Sequence, residues 1–185
     1  MLVIHPQDRT TDMLCALYEG VPNVTLMREK VYSKAEVNHA LHHTPALERI
    51  MLLGHGGELG LYSRDDDSSD VLEFDHLLVA HPHAYNLRTH LTIIGVFCNA
   101  NLFAKREGLH GLFTGMIITE LSEAAMYNIP TTQDELNREN VLFAQRLGTL
   151  LRNKVSLRDI PAIFRDTDTA HTPLTEFNYN NLYYI

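Results

Sequence analysis

Ile50-Met51-Leu52-Leu53-Gly54-His55-Gly56-Gly57 is an unbroken apolar run that ends abruptly in glycines and a histidine. Leu91-Thr92-Ile93-Ile94-Gly95-Val96-Phe97-Cys98-Asn99 repeats that arrangement with a thiol at its end. Short runs rich in Ile, Leu and Val read as strands buried on both faces, the pattern of a parallel sheet. Ligands of open parallel sheets bind at the carboxyl ends of the strands. If the two runs are neighbouring strands, an imidazole and a thiol meet on that rim, which is the minimum equipment of a cysteine hydrolase.

The rest of the chain fits an α/β protein. Leu2–Ile4 and Val24–Met27 read as strands, and Asp12–Glu19 has helical apolar spacing with Gly20 as its stop. Ser33-Lys34-Ala35-Glu36 opens a helix with a capping box, ending before Pro45. Leu59–Tyr62 and Val71–Phe74 flank a polar loop and read as a hairpin or two excursions from the rim. Asp75 is placed to cap a short helix to about Ala80, with a helix over Leu102–Gly108 after the second motif. Met116–Leu121 reads as a fifth strand and Ser122–Asn128 as a short helix. Thr132 caps a long helix to about Arg152, and Ser156–Phe164 is the last helix. Strands alternating with helices favour a mostly parallel sheet with helices on both faces. One domain is expected over 1–185, with its core in about 1–155 and a C-terminal helix and aromatic tail in 156–185.

The chain of 185 residues carries a net charge of −8 and no Lys/Arg cluster, which argues against nucleic acid and anionic membranes as partners. No apolar run reaches the roughly 20 residues needed to span a bilayer, and Met1–Pro6 is too short and uncharged for a signal peptide. Two cysteines, Cys15 and Cys98, do not make a disulfide framework, so a reducing, cytoplasmic compartment is expected. Cys15 lies on the apolar face of its expected helix and reads as core.

The chemistry of the pair needs a thiolate, a base and donors for an oxyanion. Cys98 supplies the nucleophile and His55 the base. The Gly56 and Cys98 N–H groups are candidate oxyanion donors, and the glycines beside His55 let backbone and substrate approach closely. An apolar block ending in His-Gly, followed 43 residues on by one ending in Cys, resembles the caspase-like cysteine peptidases. Thr114–Ala124 is similar to the next core strand of their bacterial members, followed in their order by a helix holding Asn140, Phe143 and Leu147. The resemblance implies a caspase-like three-layer α/β/α sandwich with a mostly parallel central sheet. It implies His55 as general base and acid, Cys98 as nucleophile, Gly56 in the oxyanion hole, and a polypeptide substrate lying across the strand ends. No cofactor and no metal are implied. The chain departs from many members at Phe97, where they carry a small residue; this ring either narrows a P1 pocket or points into the core.

Other residues invite weighing. Arg64 and the run Asp65–Asp70 lack the glycine and terminal glutamate of a calcium loop and read as a solvated loop that can favour basic substrates. His39, His42, His43, His81, His83 and His90 suggest metal, but no third ligand accompanies the His39/His43 pair, so a solvated surface is preferred. Asn99 and Asn101 are candidates for substrate contact or for turn chemistry. Glu120 is a candidate for a pocket that takes a basic P1 side chain, while Ser122 and Glu123 suit a helix start. Two further readings stay open: a catalytically silent caspase-like binding or adaptor module, and an α/β domain binding a small ligand. Against the latter, no Gly-x-Gly-x-x-Gly or Walker-type loop occurs. Oligomeric state is not legible.

Overall fold

Leucine and β-branched side chains at alternating positions of the apolar runs fill both sides of one sheet, and two helical layers cover it. The computed structural model describes residues 1–64 and 76–185. The first half holds β1 (Leu2–Ile4), a 3-10 segment (Asp12–Leu17), β2 (Thr25–Met27), α1 (Lys34–His43), β3 (Ile50–Leu53), β4 (His55–Gly57) and β5 (Gly60–Ser63). β6 (His76–Ala80), α2 (Ala84–Leu87), β7 (Ile93–Val96), α3 (Ala100–Glu107) and β8 (Gly111–Thr114) follow. The chain ends with α4 (Leu121–Met126), α5 (Gln133–Arg152), α6 (Ile160–Asp166), α7 (Pro173–Asn180) and β9 (Leu182–Tyr184).

The main sheet runs β2-β1-β3-β7-β8-β9; its first five strands are parallel and β9 is antiparallel at the edge. Leu2, Ile4, Ile50 and Leu52 face one layer, against Val37 and Leu41 of α1 and Phe103 of α3. Val3, Met51, Leu53 and Ile94 face the other, against Phe143 and Leu147 of α5 and Phe164 of α6. Each such side chain, fully buried, contributes about 1.5–3 kcal/mol. A second, antiparallel sheet, β4-β5-β6, leaves the carboxyl end of β3. The direction of chain progress reverses between β1 and β3, so their carboxyl ends form the crevice where such sheets bind ligands.

Several expectations are corrected. Asp12–Leu17 is 3-10 rather than α-helical. Residues 76–80, expected as the end of a short helix, form β6, because pairing with β5 buries Leu78 and Val79. The acidic run Asp65–Asp70, the strand Val71–Phe74 and the cap Asp75 lie outside the described residues. The fifth strand is Gly111–Thr114, not Met116–Leu121. Gly111 makes this possible: its φ is +148°, and a Cβ there would lie 1.9 Å from the Ile93 carbonyl oxygen. The apolar run after it is a buried loop whose backbone is served by amide side chains. Asn178 accepts from Ile118 N (2.9 Å) and donates to Ile118 O (3.2 Å), and Asn140 donates to Thr119 O (3.1 Å). Glu120, not Ser122, is the N-cap of α4. The last expected helix starts later, at Ile160. The aromatic tail forms α7 and β9 and closes the sheet edge against β8.

His5, just past β1, is fully buried. Arg28 Nη1 donates to its Nδ1 (3.0 Å) and its Nε2 reaches Thr11 Oγ1 (3.4 Å). Burial, with the Arg28 charge beside it, lowers its pKa from 6.5 to about 4. Between those two values the unfolded chain takes up a proton that the folded chain refuses. Stability therefore falls with pH across this window, by about 3 kcal/mol for the full shift. We expect the urea midpoint to drop from pH 6.5 to 4 and His5→Gln to flatten that limb. An unchanged slope in the variant would remove His5 as its cause.

Candidate active site

Strand pairing brings the two motifs together. β3 and β7 are neighbours with Leu53 opposite Val96, and His55 and Cys98 each follow two residues later. Both side chains line one crevice with Gly54, Leu14, Phe143 and Asn140, leaving about 20 Å³, room for a single water. His55 is buried and Cys98 partly exposed. A wider cleft of about 450 Å³ adjoins it, sharing Met13, Thr119 and Asn140, and Glu120, Arg9, Ser122 and Gln133 line it.

The histidine is held by residues from the β1 loop. Thr10 Oγ1 donates to Asp8 Oδ1 (2.6 Å) and lies 2.8 Å from His55 Nε2. A hydroxyl has one proton, and an ionised carboxylate only accepts. Thr10 therefore receives the Nε2–H of the neutral ring, which leaves the lone pair on Nδ1. Asp8 itself stands 3.6 Å from Nε2. Asp8 is buried and held in a two-pronged pair by Arg64, Nε to Oδ2 at 2.8 Å and Nη2 to Oδ1 at 2.9 Å. Burial alone would raise the Asp8 pKa; the nearby His55 ring and the hydrogen bonds from Arg64 and Thr10 outweigh it and hold the carboxyl well below the usual range.

The cysteine lies in the opposite field. Its Sγ faces Ile117 O (3.7 Å) and Glu123 Oε1 (3.9 Å). Burial, then the charges of Glu123 and Glu120, push its pKa up to about 12, so the resting group is a neutral thiol. Glu123 is fixed because its other oxygen takes Thr119 N (2.7 Å) and Glu120 N (3.1 Å). The backbone around the sulfur forms a sharp strand-to-helix turn: Asn99 is left-handed (φ 60°), a conformation asparagine tolerates. Phe97 N is taken by Thr114 Oγ1, Asn99 N by Gly115 O and Ala100 N by Phe97 O. The Cys98 N–H between them makes no such turn or loop bond among the described residues.

The other anticipated residues distribute as follows. Phe97 borders the crevice, but its ring packs into the core against Phe103 (6.2 Å between centroids) and beneath Gly56. A Cβ at Gly56 would lie 2.2 Å from that ring, so only glycine fits between histidine and core. Gly56 lies in β4 opposite Leu61, and neither it nor Asn99 lines the crevice or the cleft. Glu120 lines the cleft with no ion-pair partner among the described residues, and burial with the Glu123 charge raises its pKa. His39 and His43 stack at 4.0 Å on α1, and no group of three or more His, Cys, Asp or Glu among the described residues is placed to hold a metal ion. Asp8 and Thr10 escaped the sequence reading; the signal was present, since they follow β1 as His55 follows β3. No helix of the described residues is long and apolar enough to cross a membrane. No protein-family model, curated protein or solved structure matches the chain.

Two outcomes follow from this geometry. Glu123→Gln should raise the rate of Cys98 alkylation by iodoacetamide near pH 8 and move its pH profile to lower pH; an unmoved profile would dismiss the carboxylate as the cause. Asp8→Asn removes the carboxylate that Arg64 grips with two hydrogen bonds and should cost about 3–5 kcal/mol in urea unfolding. A loss below about 1 kcal/mol would mean the pair does not organise the rim.

Proposed function

We propose that the chain is a caspase-like cysteine peptidase, built on a caspase-like α/β/α sandwich, that cleaves polypeptides with His55 and Cys98. The observation that carries this reading is that adjacent parallel strands deliver an imidazole and a thiol into one crevice, at the carboxyl ends beside the switch point.

The chemistry follows from the field of the site. A thiol at about 12 does not ionise alone, so proton transfer to His55 accompanies attack on the peptide carbonyl. Cys98 Sγ bonds to the carbonyl carbon, and its proton passes to Nδ1. The oxyanion is met by the Cys98 N–H. His55 then returns the proton to the leaving amine, and water, deprotonated by the same ring, releases the acyl group. Thr10 holds the ring throughout, with the Asp8 carboxylate 3.6 Å from Nε2. The adjoining cleft accommodates the P1 side chain, and Glu120 selects a basic one. Two unpaired cysteines suit a cytoplasmic setting.

A second reading has its own support. The raised thiol pKa and the crevice of about 20 Å³ suit a catalytically silent binding or adaptor module of the same fold. Fluorogenic peptides with varied P1, paired with peptidyl acyloxymethyl ketones, separate the two. The peptidase should prefer Arg or Lys at P1 and label at Cys98. His55→Ala should lower turnover about 10²–10⁴-fold, and Glu120→Gln should shrink the preference for basic over neutral P1. No turnover, with Cys98 labelled at the same rate in His55→Ala as in the parent, would leave the adaptor.

A further inference from the structure

The amino end of the sheet holds a second cavity, unrelated to the histidine and the cysteine. Met1 enters β1 there, Arg49 enters β3, and α5 ends above them. The cavity measures about 390 Å³, within the size range of small-molecule sites. Leu17, Val21, Pro22, Met51 and Leu151 wall it, and Arg49, Arg152 and Lys154 are its charged groups. No acidic residue among the described ones lines it. In a chain with a net charge of −8, such a concentration of cations runs against the overall balance.

The state of these cations is the informative part. Arg49 is half-buried, its Nε is enclosed, and its side chain has neither hydrogen bond nor ion pair among the described residues. Enclosing the Nε of a guanidinium without a partner is costly, and an incoming anion that reaches it offsets that cost. Lys154 is exposed at the rim and likewise unpaired among the described residues. Arg152 donates to Ala16 O (3.0 Å) and Thr149 Oγ1 (3.4 Å), both neutral, and has no acidic partner among the described residues. The nearby carboxylate of Glu48 is engaged by the Met1 amine.

We propose that this cavity binds an organic oxyanion, a carboxylate or phosphate carried on a compact apolar body. The head group meets the Arg49 fork on the floor with Lys154 closing from the rim. The body lies against Leu17, Val21, Met51 and Leu151. Charge alone would accept inorganic phosphate; the five apolar walls give the added selectivity.

The test is isothermal titration of the full chain with three probes in low-chloride buffer: phenyl phosphate, inorganic phosphate and benzyl alcohol. Phenyl phosphate should bind saturably and at least about tenfold more tightly than either half of the molecule alone. Arg49→Gln should weaken it by about tenfold or more, the scale of one charge-assisted hydrogen bond. Lys154→Gln, an exposed position that folding tolerates, should weaken it severalfold and keeps the test decisive if Arg49→Gln misfolds. His55→Ala should leave it unchanged, which separates this site from the catalytic reading. Absence of saturable binding, equal affinity for inorganic and phenyl phosphate, or affinity untouched by Lys154→Gln would each overturn the proposal.

Discussion

The Asp8–Arg64 ion pair is the contact on which the arrangement of the rim depends. Both groups are buried, and two direct hydrogen bonds join them. Desolvating two charges costs several kcal/mol per ion, and the cost is offset only when geometry is good and remaining lone pairs are satisfied. Here Thr10 N and Thr10 Oγ1 both donate to Asp8 Oδ1, so the carboxylate is served by four donors, two from each residue. The pair ties the end of β5 to the loop after β1. It also settles where the proton of Thr10 points, and through it which nitrogen of His55 holds the lone pair. A charge pair that adds little to stability on balance can still decide the tautomer of a neighbouring ring.

That arrangement puts opposite fields on the two reacting groups. On the histidine side, the ionised Asp8 carboxylate stands 3.6 Å from His55 Nε2. On the cysteine side, Glu123 stands 3.9 Å from the sulfur and disfavours the thiolate. At an effective dielectric of about 20, a unit charge at that distance is worth about 4 kcal/mol. It adds to burial, the larger cause, in moving the thiol up to about 12. The resting sulfur is therefore a neutral thiol, and the cost of taking its proton is met when a carbonyl is present to receive the sulfur. Helix α4 thus has two duties in tension. The Glu123 carboxylate that caps its first turn is also the charge that quiets Cys98.

How much of this is legible in the sequence depends on which forces acted locally. β1, β3 and β7 are central strands whose apolar runs are complete, and their ends are within a residue or two of the reading. Ser33 and Glu36 form the expected capping box because that device involves only four consecutive residues. The fifth strand was misplaced because Met116–Ile118 is as apolar as a strand, yet Asn178, about 60 residues away, takes the place of a partner strand. β6 was read as helix because nothing local announces an antiparallel partner in β5. The His55 and Cys98 ends could be found, since a reactive side chain closing an apolar run is a local signal. Asp8 and Thr10 could not be tied to His55, because the order of strands, which the sequence does not state, is what brings their loop beside it.

The two ends of the sheet share their covering elements. The 3-10 segment gives Met13 and Leu14 to the crevice and Leu17 to the basic cavity; α5 gives Asn140 and Phe143 to one and Leu151 and Arg152 to the other. The 11 residues from Asn140 to Leu151 span about 17 Å of helix. At that range a unit charge contributes at most about 1 kcal/mol at the same dielectric, and less once salt screens it. Glu123 outweighs each such cation by roughly fourfold. The electrostatics of Cys98 is thus decided within one turn of α4, and the cations at the far end have little direct hold on it. What joins the two ends is packing, through Met51 and Leu53 of β3 against Leu147 and Leu151 of α5, in an interior with no slack to absorb a displacement.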